Sequence, residues 1–309
     1  MSADSGDGDG WVHLPDGSRR WGRYGSAGLL LCADSGGAGG GRVLMQHRAV
    51  WSHQGGTWGV PGGAMNSDED SVSAALREFG EEVAGDVGDI ELIGLHRQEH
   101  TVWRYDTVLA RTAAAADLEP ANWESDDLRW VDVADIDGLR LLPAFGSTWP
   151  LLREALAHRL ALVVDAAAVL ARTGGDAAGG AAGGPDPDGG AALLRLRDDL
   201  AALGAAGVAA GALPAGLAPA GLHLWYPRTV LVTDGAGTAP PPVPGVEVAA
   251  AAAGAPGAPG AAGAPGAFTV AVTDRPGAFA GAERTAVVGP EWLESAAAAV
   301  PRPDHSGHR

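Results

Sequence analysis

The sequence predicts two folded halves: an α+β layer structure with a mixed sheet between helices over residues 11–159, then an α/β domain over residues 160–300 interrupted by low-complexity segments. Three observations carry that prediction. Short apolar strands bracket one strongly patterned helix, Glu69 to Ala84. From Ala161 onward the texture turns to alanine and glycine, and four brief β-rich runs there have the unbroken apolar character of buried parallel strands. A chain of 309 residues also exceeds what one hydrophobic core usually serves, so two domains are expected.

Residues 1–10 are acidic, glycine-rich and poor in apolar side chains, and are expected to be disordered. Trp11 to Leu14 and Arg20 to Tyr24 flank the turn Pro15-Asp16-Gly17-Ser18 and read as a hairpin. Apolar strands at Ala27 to Ala33 and Arg42 to His47, separated by the glycine loop Gly36 to Gly41, make a second hairpin-like pair. Thr57 to Gly63 forms a short strand and turn leading into the helix, and further strands fall near Glu91 to Arg97, Val102 to Ala110 and Leu128 to Val131. Leu151 to Arg159 reads as a closing helix. In the second half, strands are expected at Leu160 to Val164, Thr229 to Thr233, Phe268 to Thr273 and Thr285 to Val288, and helices at Leu193 to Leu203 and Glu291 to Ala299. Residues 173–190 and 249–267 are low-complexity linkers unable to pack a core, and residues 301–309 are a tail.

Composition removes several functions. A net charge of −17 speaks against a nucleic-acid partner, which needs a concentrated cationic surface. The chain has no lysine at all, which excludes Schiff-base and lysine-nucleophile chemistry. The single cysteine, Cys32, lies in an apolar run where a thiol behaves as a small buried hydrophobe. The acidic N-terminus lacks the basic-then-apolar order of a secretory leader, and no apolar stretch is long enough to span a bilayer, so a cytoplasmic protein without a membrane partner is expected.

The chemistry concentrates on the Glu69–Ala84 helix. Glu78, Glu81 and Glu82 stand at i, i+3 and i+4, which gathers three carboxylates on one helical face. They would repel one another unless a cation neutralised them, and converging oxygens on a rigid element are what a hard divalent ion requires. Val72, Leu76 and Ala75, Phe79, Val83 recur at helical spacing and supply the anchoring face. Arg77 can orient a neighbouring carboxylate, with Glu69 two turns back as its partner. The alternative is a solvated acidic helix face. Upstream, Gly62 and Gly63 let the backbone turn sharply and approach a ligand with a bare carbonyl.

The run Gly63, five residues, Glu69, seven residues, Arg77-Glu78-Phe79-Gly80-Glu81-Glu82 resembles the Nudix box, and the flank Gly55 to Gly63 is similar to that family's strand entering the box. The resemblance spans roughly Trp11 to Arg159. It departs at Ala84, where the family usually has a glycine that ends the helix; Gly85 follows, so the helix is expected to run one residue longer and stop there. The resemblance implies that Glu78, Glu81 and Glu82 hold Mg²⁺ or Mn²⁺, with the Gly62 carbonyl and Glu124 as further ligands, and that Arg77, Glu78, Glu81 and Glu82 form the catalytic set with Glu78 as general base. Glu99 and Asp127 rival Glu124 as the acid from outside the box. Arg48 would contact substrate phosphate through its guanidinium fork, Trp58 the nucleotide, and Gly62 and Gly63 the phosphate-side backbone; Trp51 and Trp103 could also stack on a base, or lie in the core.

In the second half, Asp165, Asp234 and Asp274 each end an expected strand, where ligand sites gather in open parallel sheets. The segments around them resemble the PIN-like (NYN) nuclease domains. Ala168 stands where that family tends to carry Asn, and an Ala/Gly/Pro linker replaces the acidic stretch before the third strand, so the domain reads as degenerate, serving packing or a protein partner. The expected activity is metal-dependent hydrolysis of a phosphoanhydride bond in a nucleotide-type small molecule. The alternatives are a non-catalytic metal-nucleotide sensor or scaffold acting through the C-terminal domain, and an RNA nuclease in the second half regulated by the first.

Overall fold

The structure, a computed structural model, describes residues 6–34, 41–52, 54–173, 187–234, 239–250, 266–279 and 283–300. Trp11–His13 (β1) and Arg19–Trp21 (β2) pair antiparallel about a turn in which the Asp16 carboxylate accepts the Ser18 amide at 2.8 Å. Before them the chain is ordered further than its composition predicts. The Asp7 carboxylate accepts from the backbone and hydroxyl of Ser67 at 3.0 and 2.5 Å, so residues 6–10 belong to the fold, while residues 1–5 lie outside the described residues.

The next apolar run forms Ser26–Ala33 (β3), with all eight side chains buried. Arg42–Arg48 (β4), Trp58–Gly59 (β5), Gly62–Ala64 (β6), the helix Ser71–Glu82 (α1) and Val83–Ala84 (β7) follow. Glu91–His100 (β8), Trp103–Thr112 (β9), Glu119–Pro120 (β10), Ser125–Asp132 (β11) and the helix Pro143–Leu156 (α2) complete the first unit. Strands in the order β11-β4-β3-β9-β8 make a mixed sheet: β3 and β9 run parallel, the other neighbours antiparallel. The expected closing helix starts earlier than its apolar pattern suggested, because Pro143, with its fixed φ, sits comfortably in the first helical turn.

Helix α1 begins where Asp70 caps it, accepting the Ser73 amide at 2.7 Å, a contact worth about 1 kcal/mol. Ala74, Ala75 and Phe79 are buried, whereas Leu76, expected on the same face, is exposed. The helix stops at Glu82, two residues short of the expected bound. Val83 is already extended and β7 peels away to pair antiparallel with β10. Alanine is comfortable at position 84 because it lies in a strand and not in a left-handed cap; the left-handed residue is Gly85, with φ +122°.

The second compact unit comprises His158–Pro219 and the chain from Leu224, with Ala220–His223 grouped with the first unit. Its elements are Arg159–Asp165 (β12), Ala166–Thr173 (α3), Pro187–Ala206 (α4), Val208–Ala209 (β13), Leu224–Trp225 (β14), Arg228–Thr233 (β15), Val246–Ala250 (β16), Ala267–Val272 (β17), Thr285–Val288 (β18) and Glu291–Ala298 (α5). The sheet order β16-β15-β12-β17-β18 is parallel at every pairing. Two expected linkers prove shorter than their composition suggested. Leu196, Leu200 and Leu203 bury one side of α4, and the helix extends back to Pro187 inside the first linker. Backbone pairing with β15 carries β16 to Ala250 inside the second, and β17 begins at Ala267. Residues 174–186, 251–265 and 301–309 lie outside the described residues. Among the described residues, no helix is long and apolar enough to cross a membrane.

Candidate active site

Arg77 is the hub of the α1 surface. Its Nε and Nη2 donate to the two Glu69 oxygens at 2.6 and 2.9 Å, Nη2 also reaches the Ala64 carbonyl at 2.8 Å, and Nη1 donates to Glu78 at 2.8 Å and Glu81 at 3.2 Å. The bidentate bond from Arg77, against a smaller opposing effect of burial, holds the Glu69 carboxyl below its ordinary pKa. One cation thus ties the N-terminal end of the helix to its acidic last turn.

Glu82 is buried and Glu78 half-buried. Burial pushes each up to about 7, in Glu78 against the pull of Arg77, and in Glu82 against the Gly62 amide, which donates to its Oε2 at 2.8 Å. The two glycines have separate jobs. A Cβ on Gly62 would collide with the Ala27 carbonyl and Gly28 of β3, whereas a Cβ on Gly63 would occupy the space taken by the Glu78 carboxylate. Gly62 meets Glu82 through its amide. Arg48, at the end of β4, lies near enough for its charge to draw Glu82 downward. Tyr105 on β9 adds a phenol raised in pKa by burial and by Glu82, and packed over Gly28.

Other expected site residues have partners of their own. The Trp58 indole is engaged by the His47 ring at 4.8 Å and the Arg129 guanidinium at 5.2 Å. Glu124 is exposed and anchored by its backbone: its amide donates to Asn122 Oδ1 and its carbonyl accepts from Ala49, both at 2.9 Å. Glu99 lies opposite Arg104 across the β8–β9 ladder, and Asp127 is paired with Arg129. Trp103 donates its indole N–H to the Gly22 carbonyl at 3.0 Å, a structural contact.

Sequence reasoning missed Asp106. This fully buried carboxylate on β9 receives a two-pronged bond from Arg97, both arms at 2.8 Å, and the hydroxyl of Ser71, the first residue of α1. It fixes where the helix starts and hence where its acids point. Residues 35 positions apart share no sequence periodicity, so only an unpaired Asp in an apolar strand could have signalled it.

Among the described residues, no three Asp, Glu, His or Cys side chains close into a metal-holding group. Glu78 and Glu81 are turned onto Arg77 and Glu82 onto Gly62. The donor set nonetheless fits a hard divalent cation, because half-buried Glu78 and buried Glu82 lie close enough for each charge to oppose the other, a cost that such an ion would offset.

Residues 23–154 match the NUDIX domain family. A protein of Mycobacterium tuberculosis named "Putative 8-oxo-dGTP diphosphatase 3" is 46% identical over 159 residues, covering 48% of this chain and 71% of that protein. The chain belongs to the Nudix family. A Bifidobacterium longum "Nucleoside triphosphate pyrophosphatase/Nudix hydrolase fusion protein" is 41% identical over 146 residues, 46% of this chain and 30% of that one. The crystal structure of the M. smegmatis Nudix hydrolase RenU, 42% identical, spans 48% of this chain and 96% of that chain with a TM-score of 0.45. This Nudix hydrolase is thus a pyrophosphohydrolase acting on acid anhydrides.

The expected acidic trio of the second unit is not a free cluster. Asp165 is bonded by Arg275 and by the Thr273 hydroxyl at 2.8 Å, and these outweigh burial, which acts upward, to hold its carboxyl below the ordinary range. Asp274 also faces Arg275, at 3.8 Å.

Proposed function

We propose that this Nudix hydrolase cleaves a phosphoanhydride bond of a nucleoside triphosphate or related nucleotide with Mg²⁺ or Mn²⁺, and that an oxidised purine nucleotide is the first substrate to test. The substrate follows from the name of the M. tuberculosis relative. The observation that carries the reading is the pair of carboxylates, half-buried Glu78 and buried Glu82, set one helical turn apart against Gly62 and Gly63. Glu78, Glu81 and Glu82 would hold the cation, with the Gly62 carbonyl and Glu124 as further ligands. When bound, the ion polarises the phosphoryl group and lowers the pKa of a neighbouring water.

The chain's own residues do the rest. Glu78 accepts the proton of the water whose oxygen attacks phosphorus; the bridging oxygen departs with the electron pair of the broken P–O bond. Arg77 donates to Glu78 and Glu81, which would hold the cation, while its bidentate hold on Glu69 keeps the helix surface in place. Arg48 receives phosphate oxygens. The second unit serves packing or partner contacts: Arg275 on Asp165 favours that role over the nuclease chemistry of the PIN-like resemblance.

The test is a chromatographic screen of 8-oxo-dGTP, dGTP, a dinucleoside polyphosphate and a nucleotide sugar with Mg²⁺ and Mn²⁺, beside Glu81→Gln and Asp165→Asn. Turnover lost in Glu81→Gln and kept in Asp165→Asn is expected. RNA cleavage lost only in Asp165→Asn would move the chemistry to the second unit.

A further inference from the structure

Two large aromatic side chains stand in water beside the acid cluster. Trp51 is 60% exposed and Trp123 72% exposed, and their rings stack at 4.4 Å between centroids with planes 31° apart. Val50, 75% exposed, extends the same patch. Indoles left in water lose the burial that normally justifies them, and a contiguous exposed apolar surface of this kind marks a binding surface.

The two loops that carry them are anchored to each other and to α1. Ala121 donates its amide to the Glu82 carbonyl at 2.9 Å and Asn122 its side-chain amide to the Glu81 carbonyl at 3.3 Å, so Trp123 is the next residue along from the end of the acidic turn. Ala49 donates to the Glu124 carbonyl at 2.9 Å, which joins the loop of Trp51 to the loop of Trp123. The Trp51 loop is itself braced: the amide and hydroxyl of Ser52 both reach the Ala49 carbonyl, at 2.9 and 2.7 Å, and Gly55 fits where a side chain would strike the carbonyls of Ala49 and Val50. Arg48, at the end of β4, precedes Trp51 by three residues.

We infer that Trp51 and Trp123, stacked on each other, form a one-sided aromatic clamp, a platform whose exposed outer face takes a nucleobase of the substrate by stacking on its π-face and so sets which phosphoanhydrides the enzyme accepts. The inference rests on the proposed nucleotide hydrolysis for the position of the phosphates, and the clamp lies within reach of the same acidic turn and Arg48. Stacking tolerates any base and gains most from the largest ring system, so purine nucleotides are preferred over pyrimidine ones. Preformed loops spare the ordering cost that a mobile aromatic would bring to binding.

The test compares the full-length wild type with Trp51→Ala, Trp123→Ala, the double variant and Trp51→Phe, using dGTP, dCTP and inorganic tripolyphosphate. KM for dGTP should rise about five- to one-hundred-fold in the alanine variants with kcat little changed, and Phe should restore most of the loss. Turnover of tripolyphosphate, which has no base, should be unaltered. Titration of dGMP followed by tryptophan emission reads the clamp without turnover: quenching in the wild type should vanish in the double variant. If the wild type hydrolyses nothing, the proposed function fails while the dGMP titration still judges the clamp. Equal KM changes for dGTP and tripolyphosphate, or no change in KM or quenching, would overturn the inference. So would loss of a dimer in the double variant at unchanged KM, which would make the patch a contact between copies of this chain.

Discussion

Replacing Glu78 by glutamine should lower kcat by about two to four orders of magnitude while leaving the fold intact, the usual worth of a positioned general base. The substitution keeps the shape of the side chain and the acceptor that Arg77 Nη1 uses at 2.8 Å, and it removes the charge that burial opposes. Thermal stability should therefore hold or rise slightly as turnover collapses, because an isosteric neutral group suits a buried site better than an ionised one. Paired measurements of kcat and melting temperature read both effects. Parallel losses of activity and stability would mean that Glu78 is structural. Unchanged kcat would place the proton acceptor elsewhere, with Glu124 the first alternative.

Asp106→Ala should be the most destabilising change in the first unit, costing about 3–5 kcal/mol. It strips the partner from Arg97, whose own pKa the Asp106 bonds raise, and frees the Ser71 hydroxyl at the start of α1. At about 2–4 °C per kcal/mol for a domain of this size, the melting temperature of the unit should fall by roughly 6–20 °C. Asp106→Asn should cost less, since an amide oxygen still accepts one arm of the guanidinium. A shift below about 1 °C would show that the buried carboxylate contributes nothing to holding the helix.

What could be read in the sequence was local. Glu69, Arg77, Glu78, Glu81 and Glu82 share one helix, so fixed spacing alone places them on a common surface, and the Arg77–Glu69 bond follows from charge and periodicity. The alternating strands around them and the parallel runs of the second unit were legible for the same reason. What escaped depends on partners distant in sequence. Ala84 reads as a missing helix-ending glycine until β7 is seen to pair with β10, and Asp165 reads as a possible metal ligand until Arg275, 110 residues on, is seen to bond it. Trp123 carries no periodic signal at all, since its role depends on a loop tied to the end of α1. Composition drew the linkers too wide at their ends, because backbone pairing at Ala249 and Ala250 and the leucines of α4 carry elements into their margins.

Manganese titration of the purified full-length chain, read by the loss of the free-ion EPR signal, tests most directly whether the acids of α1 share a cation. The wild type should bind Mn²⁺, and both Glu78→Gln and Glu82→Gln should weaken that binding by an order of magnitude or more while remaining folded. Equal binding in all three proteins, or none in the wild type, would contradict it.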